Sequence, residues 1–172
     1  MKPNKVIPIT VLVFFSLTVA VQAANVTIFS EGTIQDSLLF GGPVRMLTRQ
    51  VIQAPGEVGG WHYHPGVVFT TVKSGELTIE DGCGGQQTYG PGEGFEKSNH
   101  RVHRGKNLGS VEVVFYDTFI TPVGSPHSVD TPTLCGPPAS VDDCKNGGWS
   151  IFTFPRIFQS QGDCIACVLT GE

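Results

Sequence analysis

The chain has 172 residues, of which 15% are charged and 40% hydrophobic, with 22 glycines, 12 prolines and a formal net charge of −4. This length is typical of one domain, and the scarcity of charged residues argues against coiled coils and long solvated helices. The apolar content and low net charge argue equally against disorder. We therefore expect a compact, turn-rich β domain.

The first predicted element is a secretory signal peptide over residues 1–23. Two lysines precede an uncharged run from Val6 to Val21, and small residues follow up to the Ala23–Ala24 bond. A basic start, an apolar middle and a small-residue end are the order of a cleavable signal. The alternative is a permanent anchor, although the run is shorter than the roughly 20 residues that span a bilayer.

Cleavage at this bond would leave 149 residues with nine basic and 15 acidic side chains, a net charge of −6. No basic patch remains that could follow a phosphate backbone, so we expect no nucleic-acid partner and no stable membrane span. We expect the mature protein in the periplasm or outside the cell. Such compartments are oxidising, and cysteines tend to pair there.

Short strand-like runs rich in Val, Thr, Phe and Ile follow, separated by turns that contain Gly, Pro and Asn. Regularly spaced short strands indicate an antiparallel sandwich or barrel. Prolines crowd the chain after Thr121, and four of the five cysteines lie beyond it. We therefore predict a barrel over residues 24–121 and a cysteine-rich extension over residues 122–172. The predicted strands are Val44–Ile52, Gly66–Lys73, Glu76–Glu80 and Val111–Ile120.

A histidine pair marks the candidate site. His62 and His64 are two residues apart, so on a strand both imidazoles face the same side. Histidine is a common ligand of Zn, Fe, Cu, Ni and Mn. A pair alone is a weak metal signal, and two histidines on an exposed strand face are the alternative. The segment around His100 and His103 can bring a further imidazole to the same cavity.

These residues resemble the first of two sequence motifs of the cupin superfamily, the small double-stranded β-helix proteins. That motif is Gly, five residues, His-x-His, a Glu after three or four residues, and a closing Gly. Here Gly56, His62, His64 and Gly75 fit it. Val68 takes the place of the Glu and cannot bind a metal.

The second motif of the family is Gly, five residues, Pro-x-Gly, two residues, His, three residues, Asn. Gly92, His103 and Asn107 fit it in register, whereas Ser98 stands for the Pro and His100 for the Gly. The two motifs occur in order, and the resemblance covers about Val44 to Phe119. It implies an all-β fold, the antiparallel jelly-roll barrel of the cupins, with a disulfide-braced C-terminal extension.

The resemblance also implies a function. His62, His64 and His103 would hold a divalent transition metal (Fe, Mn, Zn, Ni or Cu) without a carboxylate ligand, and positions would stay open for water, an anionic ligand or dioxygen. Such a three-histidine site resembles the thiol dioxygenase branch of the cupins, which implies a non-haem oxidoreductase acting on a small molecule. The alternative is a non-catalytic binding or sensing module with a vestigial or structural metal site. A homodimer is compatible with either.

The wall of the predicted cavity follows from strand parity. Val68 and Thr70 continue the inward face of the histidine pair and are expected to contact a ligand. Arg101 shares parity with His103 and can present a guanidinium to an anionic substrate. The alternative for Arg101 is a solvated basic edge shared with Arg104 and Lys106. His100 is expected on the opposite face, as a turn residue near the cavity rim.

Five cysteines cannot all pair within one chain, so at least one is left without a partner in the chain. Any four of them can form two disulfides in three different ways. The chain also resembles a bacterial cupin subgroup that lacks the Glu of the first motif. Cysteines recur together there at the places of Cys83 and Cys135, which implies a Cys83–Cys135 bridge. The segment Cys144-Lys-Asn-Gly-Gly-Trp resembles a tail of exported bacterial proteins, which implies Cys144–Cys164. Cys167 would then be free or paired between chains. The alternatives are a Cys164-x-x-Cys167 redox motif or zinc bound by four cysteines.

Overall fold

The computed structural model describes residues 24–38, 40–97 and 100–171. The predicted signal peptide and Ser98 lie outside these ranges. Within them the chain forms ten strands: β1 Asn25–Ser37, β2 Gly42–Gln53, β3 His62–Tyr63, β4 Val67–Ser74, β5 Leu77–Asp81, β6 Gln86–Tyr89, β7 Gly94–Lys97, β8 His103–Lys106, β9 Val113–Pro122 and β10 Val129–Asp130.

The strands form two five-stranded antiparallel sheets. The first sheet has the order β1-β2-β9-β4-β7, and the second has the order β10-β3-β8-β5-β6. The predicted all-β, double-stranded β-helix fold is therefore confirmed. Each predicted strand corresponds to an observed one, β2, β4, β5 and β9. The last of them begins at Val113 rather than at the exposed Val111.

The core lies on the inner face of the first sheet, as strand periodicity dictates. Along β9 every second side chain is buried, beginning with Val113, because successive residues of a strand point to opposite faces. Phe119, which is fully buried, packs with Leu47 and Val68 of the neighbouring strands. Asp117 occupies an inward position in this row, so β9 carries a carboxylate into the core.

The C-terminal extension has a small core of its own. Residues Val141–Cys144 and Gly148–Ile151 form 3₁₀ helices, and Gln161–Thr170 forms the α-helix α1. The Ser160 side chain caps the start of α1 by accepting from the amide of Asp163, which satisfies one otherwise unpaired helical N–H. The buried members of this core are Cys135, Cys144, Phe152, Phe158, Cys164 and Cys167.

Two disulfides brace this extension, with the connectivity that the resemblance implies. Cys83 bonds Cys135 and ties the β5–β6 turn to the segment after β10. Gly82 is needed there, since a Cβ at this position would lie 1.7 Å from the carbonyl oxygen of Leu134. Cys144 bonds Cys164 within the extension. Cys167 is free and buried, so neither a disulfide redox pair nor a four-cysteine zinc site forms.

The start of the extension also joins the barrel. Strand β10 pairs with β3, with Asp130 opposite His62, so the second sheet includes residues beyond 121. At the other end, β1 is exposed along nearly its whole length and, among the strands that the structure describes, pairs only with β2. No helix among the described residues has the length and apolar character to cross a membrane. The predicted domain limits and the homodimer stay predictions.

Candidate metal centre

Three histidines converge inside the second sheet. His62 lies in β3, His64 follows that strand directly, and His103 begins β8, where it is the cross-strand partner of His62. One ring nitrogen from each of them lies within 4.8 Å of the other two. His64 and His103 are buried, whereas His62 is partly exposed.

Each imidazole is held by a backbone carbonyl at its Nδ1 atom. A carbonyl oxygen only accepts hydrogen bonds, so Nδ1 must carry the proton and the Nε2 lone pair is free. The Nε2 atom of His103 is buried without a hydrogen-bond partner, as expected of a ligand atom whose partner is an ion. The accepting carbonyls are those of Gly60 for His62 (2.8 Å), His127 for His64 (2.7 Å) and Arg101 for His103 (2.7 Å).

Burial keeps these rings neutral. Desolvation, followed by the positive charge of Lys97, lowers the pKa of His64 to about 3. The same two causes lower the pKa of His103, and desolvation lowers that of His62. Because a metal competes with protons for the imidazole nitrogen, a depressed pKa keeps the ligands available at acidic pH.

These donors fit a divalent transition metal. Imidazole nitrogen suits Zn, Cu, Fe and Ni, and fixed Nδ1 partners are the usual outer support of metal-bound histidine. Three nitrogens at 2.0–2.1 Å from one tetrahedral ion would be roughly 3.3 Å apart. The three ligand nitrogens lie within 4.8 Å of one another, so an ion would draw them closer together by small side-chain rotations.

Among the described residues, no carboxylate joins the three histidines as a candidate ligand. Val68 is fully buried at the motif position of the Glu. The nearby buried carboxylate, Asp117, is already engaged, because it accepts from the Thr70 hydroxyl at 2.6 Å and from Arg49 at 2.9 and 3.0 Å. Burial raises the pKa of the Asp117 carboxyl, but the positive charge of Lys97, followed by the charge of Arg49 and the hydrogen bonds of Thr70 and Arg49, holds it below its ordinary value. Sequence reasoning missed this network, although a lone acidic residue in an apolar strand was a signal for it.

A cavity of about 360 Å³ opens beside His103, large enough for a small organic molecule. Arg101 and Lys97 both line it. Neither side chain makes an ion pair or hydrogen bond within the part of the chain that the structure describes. The remaining lining residues are Ile79, Asp81, Gly85, Gln86, Gln87, Tyr89, Phe95, Glu96 and Val102.

The three residues predicted to bind substrate have different positions. Arg101 lines the cavity, whereas Val68 and Thr70 are fully buried and are not among its lining residues. The Thr70 hydroxyl is donated to Asp117. Arg104 and Lys106, the other members of the alternative basic edge, both pair with the Glu80 carboxylate at 2.6 Å.

His100 is not part of the histidine cluster. It lies in a turn, and its ring is 5.3 Å from that of Tyr63. Its φ of 63° is in the left-handed region that favours glycine, which agrees with its place at the Gly of the second motif. Gly75, the closing Gly of the first motif, also has a positive φ, of 74°. The left-handed backbone conformation is therefore present both at Gly75, which matches its motif, and at His100, which replaces a motif glycine.

Asn107, the last residue of the second motif, is structural. It is fully buried and its amide donates to the carbonyl oxygens of Gln53 and Val111, while its own oxygen accepts from the amide of Gly109. The side chain thus joins the ends of β2 and β8 to the loop before β9. It has no contact with the histidines.

Comparison with known proteins gives a family match over the strands that carry the site. Residues 49–120 match the family model described as Cupin domain. No curated protein matches the chain. The solved structures similar to it include a double-stranded β-helix protein from Klebsiella pneumoniae, with 23% identity over 51% of this chain and 76% of that chain (TM-score 0.44).

Two further similar structures are cupin domains. One is the Cupin_2 domain of an XRE family transcriptional regulator from Enterobacter cloacae, with 22% identity over 62% of this chain and 100% of that chain (TM-score 0.44). The other is a cupin domain from Bordetella pertussis, with 19% identity over 57% of this chain and 93% of that chain (TM-score 0.45). At these scores the structures add no functional argument.

Proposed function

Because the chain belongs to the cupin superfamily, we propose that His62, His64 and His103 bind a divalent transition metal and that a small molecule binds beside it in the barrel. The observation that supports this best is the hydrogen-bonding pattern that the three rings share. Each has its Nδ1 atom fixed by a carbonyl, which leaves each Nε2 atom free to act as a ligand. Three neutral, preoriented imidazoles are costly to bury without a use.

The bound ion would supply Lewis acidity and open coordination positions beside the cavity. With a redox-active metal, this arrangement suits a non-haem dioxygenase-like oxidoreductase. The protein's own part would be to orient the ligand: Arg101 lies at the cavity wall, and its carbonyl also holds the His103 ring. Substrate position and metal-ligand orientation would thereby depend on one residue.

A specific observation favours a second candidate, a module that binds a small molecule without turnover. The two carboxylates of the cavity lining do not join the histidine cluster. Asp81 uses its Oδ1 atom to accept from the amides of Cys83 and Gly85, and Glu96 is exposed and pairs across strands with the exposed Phe69. Within the described ranges, the site therefore lacks the carboxylate ligand of the family motif, which favours binding over turnover.

We also propose that the protein is exported. The two disulfides support this, since such bonds persist in oxidising compartments and are rare in the cytosol. The hydrophobic segment predicted as a signal peptide agrees with it.

The experiment that tests the proposed function is metal analysis of protein purified from its own compartment, combined with oxygen-uptake assays on a panel of small molecules. Wild type should carry about one metal ion per chain, and a His62→Ala/His64→Ala variant should carry far less. His100→Ala, a histidine outside the cluster, is the matched control. Equal metal content in wild type and the double variant would overturn the proposal, and bound metal without oxygen uptake would favour the binding module.

A further inference from the structure

Lys97 lies opposite the position at which the site lacks a carboxylate. In the antiparallel β4–β7 pair, Lys97 is the direct cross-strand partner of Val68. Directly opposed residues of such a pair point to the same face of the sheet. Val68 is fully buried on the inner face of the sheet. The Lys97 side chain therefore also extends from the inner face, on the side of the histidines.

Two further observations agree with this placement. Lys97 lines the same cavity as His103, and its positive charge acts on all three histidines, since it contributes to lowering the pKa of each one. The neighbouring side chain in β7, that of Glu96, points to the opposite, exposed face. The Lys97 Nζ atom lies over the ring of Phe95, 5.1 Å from its centroid, and both residues line the cavity. Glu96 also lines the cavity, but from an exposed position.

The cavity lining has two cations, Lys97 and Arg101, and two carboxylates, but Asp81 is held in its turn by two backbone amides and Glu96 lies on the exposed face of β7. Three neutral histidines leave a divalent ion with its full charge, and the ammonium of Lys97 and the guanidinium of Arg101 add to it. The nearby Asp117 pairs with Arg49 and also attracts Lys97, so this single carboxylate offsets only one of the three positive side chains. Like charges in a partly desolvated site repel strongly, so an anion that contacts both the metal and Lys97 would relieve the repulsion.

We infer that Lys97 is a specificity-determining residue that selects a small organic anion, with a carboxylate as its charged group, as the molecule that binds at this metal. This inference rests on the proposed metal site. The ligand would supply the negative charge that Val68 does not. An ammonium is well suited to this role, since it presents a compact charge with three donors to an oxygen anion.

The test uses the full mature chain loaded with Co²⁺, whose visible spectrum reports changes in its ligands. Acetate is titrated as the anionic probe, and acetamide is the neutral probe of similar shape. We expect acetate to perturb the spectrum and acetamide to leave it unchanged. In Lys97→Met, acetate affinity should fall about tenfold or more, the size of effect typical of a charged hydrogen bond.

The same variant should bind Co²⁺ more tightly than wild type when no anion is present, because a like charge has been removed. A lysine with only a structural role would not change the two affinities in opposite directions. Lys97→Arg keeps the charge and should keep acetate binding, which also covers the case that Lys97→Met fails to fold. Lys73→Met, on the exposed face of β4, is the matched control and should change neither affinity.

Failure of this inference and failure of the proposed function give different results. If wild type binds Co²⁺ but acetate binds equally well to Lys97→Met, the role of Lys97 is overturned and the metal site stands. If wild type binds no Co²⁺, the metal site itself is overturned, and the inference with it.

Discussion

The Nδ1 atom of His64 lies 2.7 Å from the carbonyl oxygen of His127. His127 belongs to the segment after β9, outside the residues 49–120 that match the family model. The ring of a candidate metal ligand is therefore oriented by a part of the chain that β10 attaches to the second sheet. The extension thus orients a ligand of the candidate metal site, in addition to adding a strand to the second sheet.

Burial of the histidines predicts a pH dependence of stability in the metal-free protein. In the unfolded chain a histidine has a pKa near 6.5, whereas the folded pKa of His64 is about 3. Between these values the unfolded state binds more protons, so the free energy of unfolding falls as the pH decreases from about 6.5 toward 3. Each such histidine contributes a slope of about 1.4 kcal/mol per pH unit.

Urea unfolding in the presence of a chelator, measured between pH 6.5 and 5, checks this prediction. His64→Phe replaces the ring by an apolar one of similar shape and should make the pH dependence less steep by up to about 1.4 kcal/mol per pH unit. An equal slope in wild type and variant would show that His64 titrates normally in the folded state.

The ion pair between the buried Asp117 and the partly exposed Arg49 predicts a large stability effect. Asp117→Asn leaves the Arg49 guanidinium without its carboxylate, and breaking such a pair costs about 3 kcal/mol. Thr70→Val removes only one hydrogen bond to the same carboxylate and should cost about 1 kcal/mol. Urea unfolding at pH 7 measures both. A change below about 0.5 kcal/mol in Asp117→Asn would contradict the role of this pair in the core.

The fold was largely predictable because its main strands carry local signals. Strands β2, β4, β5 and β9 are runs of β-branched and aromatic residues bounded by turn residues, and β propensity identifies such runs. Helix α1 was missed because Cys164 and Cys167 dominate its apolar face and cysteine has little helix preference. Its ends did carry signals, the Ser160 cap and a left-handed Gly171.

The site was predictable only in part, for a physical reason. The spacing of His62 and His64 and the register of the second motif identified the three histidines, since both signals can be read along the chain. The inward positions of Asp117 and Lys97 depend on which strands become neighbours, and in which register. Arg49 and Asp117 are 68 residues apart, and no local pattern in a single sequence encodes such a contact.

The cysteines predict a thiol count that does not depend on function. Cys167 is free and buried, so a thiol reagent should find no reactive group in the native protein and one after unfolding without reductant. Two or more thiols after unfolding would contradict the two-bridge connectivity. Mass spectrometry of the alkylated, intact chain gives the count directly.

The Cys144–Cys164 bridge predicts a stability loss when it is removed. It closes a loop with a sequence separation of 20, and the loss of a crosslink of this length costs about 3 kcal/mol. Cys144→Ala/Cys164→Ala should therefore unfold at lower urea, whereas Cys167→Ala, in the same small core, should cost less. Equal losses in the two variants would indicate that packing, and not the crosslink, stabilises the extension.

Equilibrium titration of the metal-free protein with Zn²⁺, against a competing chelator, tests the histidine site most directly. We predict one tight site per chain in wild type and in His100→Ala, and at least tenfold weaker binding in His62→Ala, His64→Ala and His103→Ala alike. Binding that is equally tight in all five proteins, or absent from wild type, would contradict a metal centre built from these three residues.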